Sequence, residues 1–241
     1  MAQPDLTQFQ NAEALALAVA SAWLDGIARA NQAVGAFCVA LSGGRIAGLL
    51  FPEFCRQAQA QSASLSQVHF FWADERCVPP GEVESNYRVA RQLLFDPLGI
   101  AEDCIHRIRG ELEPEAAARE AEAEIRRIVP LASDGQPVLD LILLSMGEDG
   151  HVASLFPGEP EAVVSNRVAY RAVTAPKPPP RRVTLGYGVI AAAREVWVLI
   201  SGGGKEAALR ESLCQEGRTP LVTVLRSRSR TWIFSDVRLK P

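Results

Sequence analysis

Apolar residues in this chain gather in short, nearly continuous runs, and between the runs they recur with helical spacing. Phe37–Leu41, Val68–Trp72, Leu139–Leu144 and Val196–Ile200 are runs of strand length, which predicts strands buried on both faces. Leu15, Val19, Ala22, Trp23 and Ile27 fall on one helical stripe. They predict a helix from Asn11, its N-cap, to Val34, with Gly35 ending it. Further helices are expected after the Ser42-Gly43-Gly44 turn through Ala58, from about Ser85 to Phe95, from Glu113 to Val129 and from Lys205 to about Cys214. Val168–Val173, Arg182–Leu185 and Trp232–Phe234 read as additional strands. Buried strands alternating with helices indicate an α/β fold whose mostly parallel sheet is covered on both faces. In such sheets ligands bind beyond the carboxyl ends of the strands. The turns at 42–44, 74–76, 147–151 and 201–205 are therefore expected to face one crevice.

The pattern runs through all 241 residues without a linker, so a single domain spanning 1–241 is expected. The Glu113–Val129 segment carries many charges, read as a solvated face with i to i+4 pairs. A net charge of −3 argues against nucleic acid and anionic membrane as partners, since both need clustered basic surface. No apolar run is long enough to span a bilayer. The start, Met1 to Leu15, lacks a secretory pattern, and the five cysteines are scattered without CxxC spacing. Both features point to a cytoplasmic protein with reduced thiols. Cys38, inside an apolar run, reads as a small core residue. No apolar stripe is left over for an interface, so a monomer is expected.

Four segments can carry chemistry. Ser42-Gly43-Gly44 follows a strand and precedes a helix, which suits backbone N–H groups to an anion. Asp74-Glu75-Arg76 closes a strand with three charges, and the Arg76 fork suits a phosphate or carboxylate. The block Ser145 to Pro157 contains Gly147-Glu148-Asp149-Gly150-His151. Of three histidines, only His151 lies in a glycine-rich turn at a strand end, where it can serve as a general base oriented by Asp149. Capping of a following helix is the plainer reading of that pair. His69 reads as structural, and His106 has no nameable partner. Lys177, Arg181 and Arg182 flank the stiff Pro176–Pro180 loop, and Lys205 follows Gly204. Lys177 and Arg181 read as surface charge, whereas Arg182 leads into the apolar Val183 and Leu185. Neither Ser145 nor Ser154 stands in a GxSxG elbow, which argues against a covalent route.

Together these segments resemble the 6-phosphogluconolactonase family. The matching pieces run in order from Leu41–Gly44 through Asp74-Glu75-Arg76, Val78-Pro79 and Ser85-Asn86. They continue with Gly147–Gly158, Pro176-Lys177-Pro178-Pro179, Arg182–Leu185 and Gly204-Lys205. The block Asp149-Gly150-His151-Val152-Ala153-Ser154-Leu155-Phe156-Pro157 is the most specific. The resemblance implies a Rossmann-like, three-layer α/β/α domain of the glucosamine-6-phosphate deaminase and ribose-5-phosphate isomerase type. It implies turnover without metal or cofactor, with a small sugar-phosphate substrate. It also implies His151 as general base and Asp149 as an acidic partner. Ser42, Gly43, Gly44, Arg45, Asp74, Arg76, Arg182 and Lys205 would bind the substrate, chiefly its phosphate. Departures are Arg45-Ile46-Ala47, where a hydroxyl residue and a proline are usual, Val152 in place of threonine, and Gly186-Tyr187. An amino-sugar-phosphate deaminase on the same scaffold would carry Asn-Glu-Pro where this chain has Ser154 to Pro157, and Asp-Glu-Tyr in place of Asp74-Glu75-Arg76. A sugar-phosphate sensor would lack the base or add a DNA-binding unit.

Overall fold

The structure, a computed structural model, describes residues 4–33, 35–214 and 216–239. Among these residues nine strands form two sheets: β1 Asp5–Gln8, β2 Phe37–Leu41, β3 Val68–Trp72, β4 Asp74–Arg76, β5 Leu141–Ser145, β6 Tyr170–Thr174, β7 Arg181–Leu185, β8 Glu195–Ile200 and β9 Trp232–Ser235. The larger sheet has the order β1-β9-β8-β5-β2-β3 and is parallel throughout. Every residue of β2 is buried, as a strand covered on both faces requires. Helices supply that cover. Leu15, Val19, Trp23 and Ile27 of the Ala12–Gln32 helix turn inward, and Asn11 accepts a hydrogen bond from the Ala14 N–H. Trp23 meets Phe54 of the Ala47–Ala60 helix at 4.0 Å between ring centroids. Truncating either ring would open a cavity costing about 3–5 kcal/mol. The expected helix end at Val34 lies outside the described residues; the helix closes at Gln32, with Ala33 as its C-cap.

The chain order makes the crevice. From β2 the chain steps outward to β3, and from β5 it steps the other way to β8 and β9. A gap opens where these directions part, between the carboxyl ends of β2 and β5. The smaller sheet, β4-β7-β6, is antiparallel. It begins one residue after β3, with Asp74 opposite Thr184 and Arg76 opposite Arg182.

Several expectations change here. The 168–173 and 182–185 strands exist, as Tyr170–Thr174 and Arg181–Leu185, but they form this second sheet. The Ser85–Phe95 helix is α-helical over Asn86–Ala90 and widens to a π-turn over Arg91–Phe95. Strands β1 and β4 and the Pro220–Arg226 helix are additional. No helix among the described residues is long and apolar enough to cross a membrane.

Candidate active site

The four expected turns do meet. A cavity of about 420 Å³ is lined by Ser42 to Ile46, by Asp74 and Arg76, by Ser145 to Glu148 with His151, and by Lys205. Lys177 and Arg182 add a fifth wall. Five cations and two carboxylates, Asp74 and Glu148, therefore share one pocket of an acidic protein. Such a pocket concentrates positive potential and suits a small dianion.

The glycine turn is shaped by its neighbours. A Cβ on Gly43 would fall 2.0 Å from Asn86 Oδ1, so only glycine lets Asn86 approach. Asn86 Nδ2 donates to the Asp74 carbonyl at 2.9 Å, and Ser154 Oγ donates to Asp74 Oδ2 at 2.7 Å. Ser145 Oγ donates to the Gly43 carbonyl at 2.8 Å, tying the β5 end to the β2 turn. Glu75 is buried and structural: its carboxylate accepts from the N–H groups of Arg76, Asn86 and Tyr87 and from Ser85 Oγ. Burial pushes its pKa up to about 7 against the pull of those donors. Ser42 Oγ and Arg76 Nε are buried without a partner among the described residues, so each can still donate to a bound molecule.

His151 and Asp149 form a direct pair, with Nδ1 bonded to Asp149 Oδ1. Asp149 Oδ1 also accepts from the His151 N–H at 3.3 Å, and Gly147 N donates to the His151 carbonyl at 2.8 Å. A Cβ on Gly147 would sit 2.0 Å from the imidazole Cε1; the ring needs that glycine. Burial lowers the His151 pKa, Asp149 raises it and Lys177 lowers it. Burial acts to raise the Asp149 pKa, but its bond to His151, with Lys177 nearby, holds it below the usual value. The helix-capping reading of this pair does not hold, because residues 150–158 run as turns and short bridges.

The cations occupy different depths. Arg45 and Glu148 are both exposed and lie 3.9 Å apart. Lys205 has its pKa lowered by burial and by Arg45. Arg182 is 4% exposed and bonds the Pro179 carbonyl through Nε at 2.9 Å. Arg181 is a surface residue paired with Glu113, as expected. Lys177 is not merely surface charge. Its Nζ lies 3.4 Å from His151 Nδ1 and 3.8 Å from Asp149 Oδ2. Every sequence-predicted site residue lines the cavity except Asp149, which bonds the ring that does. Lys177, Asn86 and Ser154 had no role assigned from sequence. The Ser85-Asn86 pair was the one visible signal for Asn86.

Fold and crevice define a class: a three-layer α/β/α enzyme with a histidine–carboxylate pair in a cationic pocket beyond the strand ends. The family model described as glucosamine-6-phosphate isomerases/6-phosphogluconolactonase matches residues 10–233. The chain belongs to that family. It is 34% identical over 212 residues to a 6-phosphogluconolactonase of Mycobacterium tuberculosis, covering 85% of this chain and 84% of that one. A solved structure described as devB protein superposes with a TM-score of 0.86 at 30% identity, covering 96% of this chain and 97% of the other. The 6-phosphogluconolactonase of Trypanosoma brucei superposes with a TM-score of 0.83 at 26% identity, covering 98% and 97%.

Proposed function

We propose that this protein hydrolyses 6-phospho-D-glucono-1,5-lactone to 6-phospho-D-gluconate, in the oxidative pentose phosphate pathway and in the cytoplasm, as one domain over 1–241. The observation that carries this reading is the His151–Asp149 pair on the wall of a cavity holding five cations. The phosphate is held by the Ser42-Gly43-Gly44 turn with Arg45, Arg76 and Lys205. With the Nδ1 proton shared towards Asp149, Nε2 carries the lone pair. Nε2 takes a proton from water, and the hydroxide adds to C1. The tetrahedral oxyanion is stabilised by nearby donors. As it collapses, the C1–ring-oxygen bond breaks and the leaving oxygen takes the proton back from the imidazolium. These steps use side chains and water alone. The deaminase alternative lacks its acid: Ser154 to Pro157 stand where that family carries Asn-Glu-Pro, and Arg76 stands where it carries tyrosine.

The test is turnover of freshly generated 6-phosphogluconolactone, followed by pH-stat, with His151→Ala beside wild type. Wild type turns over well above the spontaneous rate, and the variant loses about 10²–10⁴-fold. A wild type at background would discard the function, and an active variant would discard the base.

A further inference from the structure

We propose that Lys177 is a positioning residue for His151: its ammonium, beside Nδ1 and Asp149, keeps the imidazole neutral and the carboxylate fixed on the ring. This inference rests on the reading of His151 as the base. The geometry is specific. The ammonium approaches both members of the pair, at 3.4 Å from Nδ1 and 3.8 Å from Asp149 Oδ2. An imidazolium there would put two full positive charges in contact, which disfavours protonation of the ring.

The lysine is also held in place. Arg182 donates to the carbonyls of Lys177 at 3.4 Å, Pro178 at 3.4 Å and Pro179 at 2.9 Å, so one buried guanidinium fastens the whole loop. Prolines at 178–180 then fix φ along that loop. The Arg182 guanidinium lies 5.8 Å from the Phe156 ring, against which the His151 ring packs at 5.1 Å. Arg182 thus braces both the ring and the lysine. The charges acting on His151 are Asp149 from its own turn, Asp74 from β4 and Lys177 from the β6–β7 loop, while Glu148, Arg45, Arg76, Arg182 and Lys205 line the same cavity. Lys177 is the cation that acts on the ring, with its Nζ 3.4 Å from Nδ1. Its side chain is 45% exposed, so solvent screens the effect and keeps it moderate.

The experiment measures kcat and KM for the fresh lactone between pH 5.5 and 7.5 in wild type, Lys177→Met and Lys177→Arg. The imidazole signals of the same proteins are titrated by NMR. With three histidines in the chain, His151 is assigned by its loss in His151→Gln. In Lys177→Met, kcat/KM falls roughly three- to tenfold at pH 5.5 but stays within about twofold at pH 7.5, because the ring now protonates earlier. Lys177→Arg restores the acid side, and the His151 titration midpoint moves up only in the Met variant. A loss of equal size at every pH, a KM rise with an unchanged profile, or an unmoved titration overturns the proposal. The KM result would make Lys177 a phosphate ligand instead. A moved titration that the rates do not follow supports the hold of Lys177 on the ring and overturns His151 as the base.

Discussion

Among the described residues there are two carboxylate–histidine pairs, and the difference between them lies in the second ring nitrogen. His106 bonds Glu124 through Nδ1 at 2.7 Å and His69 through Nε2 at 2.8 Å. Its ring is stacked on Phe71 at 4.5 Å, with His69 on another side at 5.1 Å. Both nitrogens are committed. His151 uses Nδ1 on Asp149, and among the described residues Nε2 has no hydrogen-bond partner. Burial lowers the pKa of both histidines, so titration behaviour does not separate them. A carboxylate orients a histidine in either setting; what sets His151 apart is a place on the cavity wall and a nitrogen without a hydrogen-bond partner among the described residues, which the proposed role as base requires.

The comparison breaks most directly by kinetics. His106→Gln should keep turnover within about twofold, beside the 10²–10⁴-fold loss expected for His151→Ala. A large loss in the His106 variant would mean that the two pairs are one system. Next in size, Lys205→Ala should raise KM for the phosphorylated lactone about tenfold, as loss of a charge-assisted bond does. Unphosphorylated gluconolactone should show no such change. Thermal melts sharpen the structural side. His106→Phe should cost about 1 kcal/mol at pH 8, the worth of an ordinary hydrogen bond. The sign with pH follows from the lowered value: above about 6.5, the unfolded reference, the full contribution is present. As pH falls below that value, the unfolded chain binds a proton that the folded His106 resists, and stability drops. The variant should therefore show a shallower loss of melting temperature from pH 7 to pH 5. The smallest effect is expected at Glu148, whose exposed pairing with Arg45 competes with a phosphate. Glu148→Gln should tighten 6-phosphogluconate, measured by calorimetry, roughly twofold.

Much of this site was legible because glycine, histidine and strand-end charge leave local marks. The runs 37–41, 68–72 and 196–200 announced β2, β3 and most of β8, and the turns after them predicted the crevice. What escaped was set by tertiary context. Strand β1 reads Asp-Leu-Thr-Gln and pairs only with β9 at the sheet edge, so it has no apolar run to show. Strand β4 is three charged residues, recognisable only through its partner β7. Pro220–Arg226 is rich in β-branched residues, yet Thr219 caps it as a helix, a case of position overriding propensity. Lys177 gave only a weak signal, as one cation beside a proline loop, because a lysine there looks the same whether the loop lies flat or folds over the His151–Asp149 pair. Only the Arg182 bonds to that loop distinguish the two.

The crevice draws its walls from six separated stretches of chain, from the β2 turn near Ser42 to Lys205 beyond the end of β8. No short sub-segment contains all of it: the glycine turn lies on the connection from β2 to β3, whereas His151 and the β6–β7 hairpin that carries Lys177 and Arg182 lie on the connection from β5 to β8. Contacts of such wide sequence separation form late in folding, after their closure entropy has been met. Turnover should therefore recover later than helical signal during refolding, measured side by side by activity and far-UV circular dichroism.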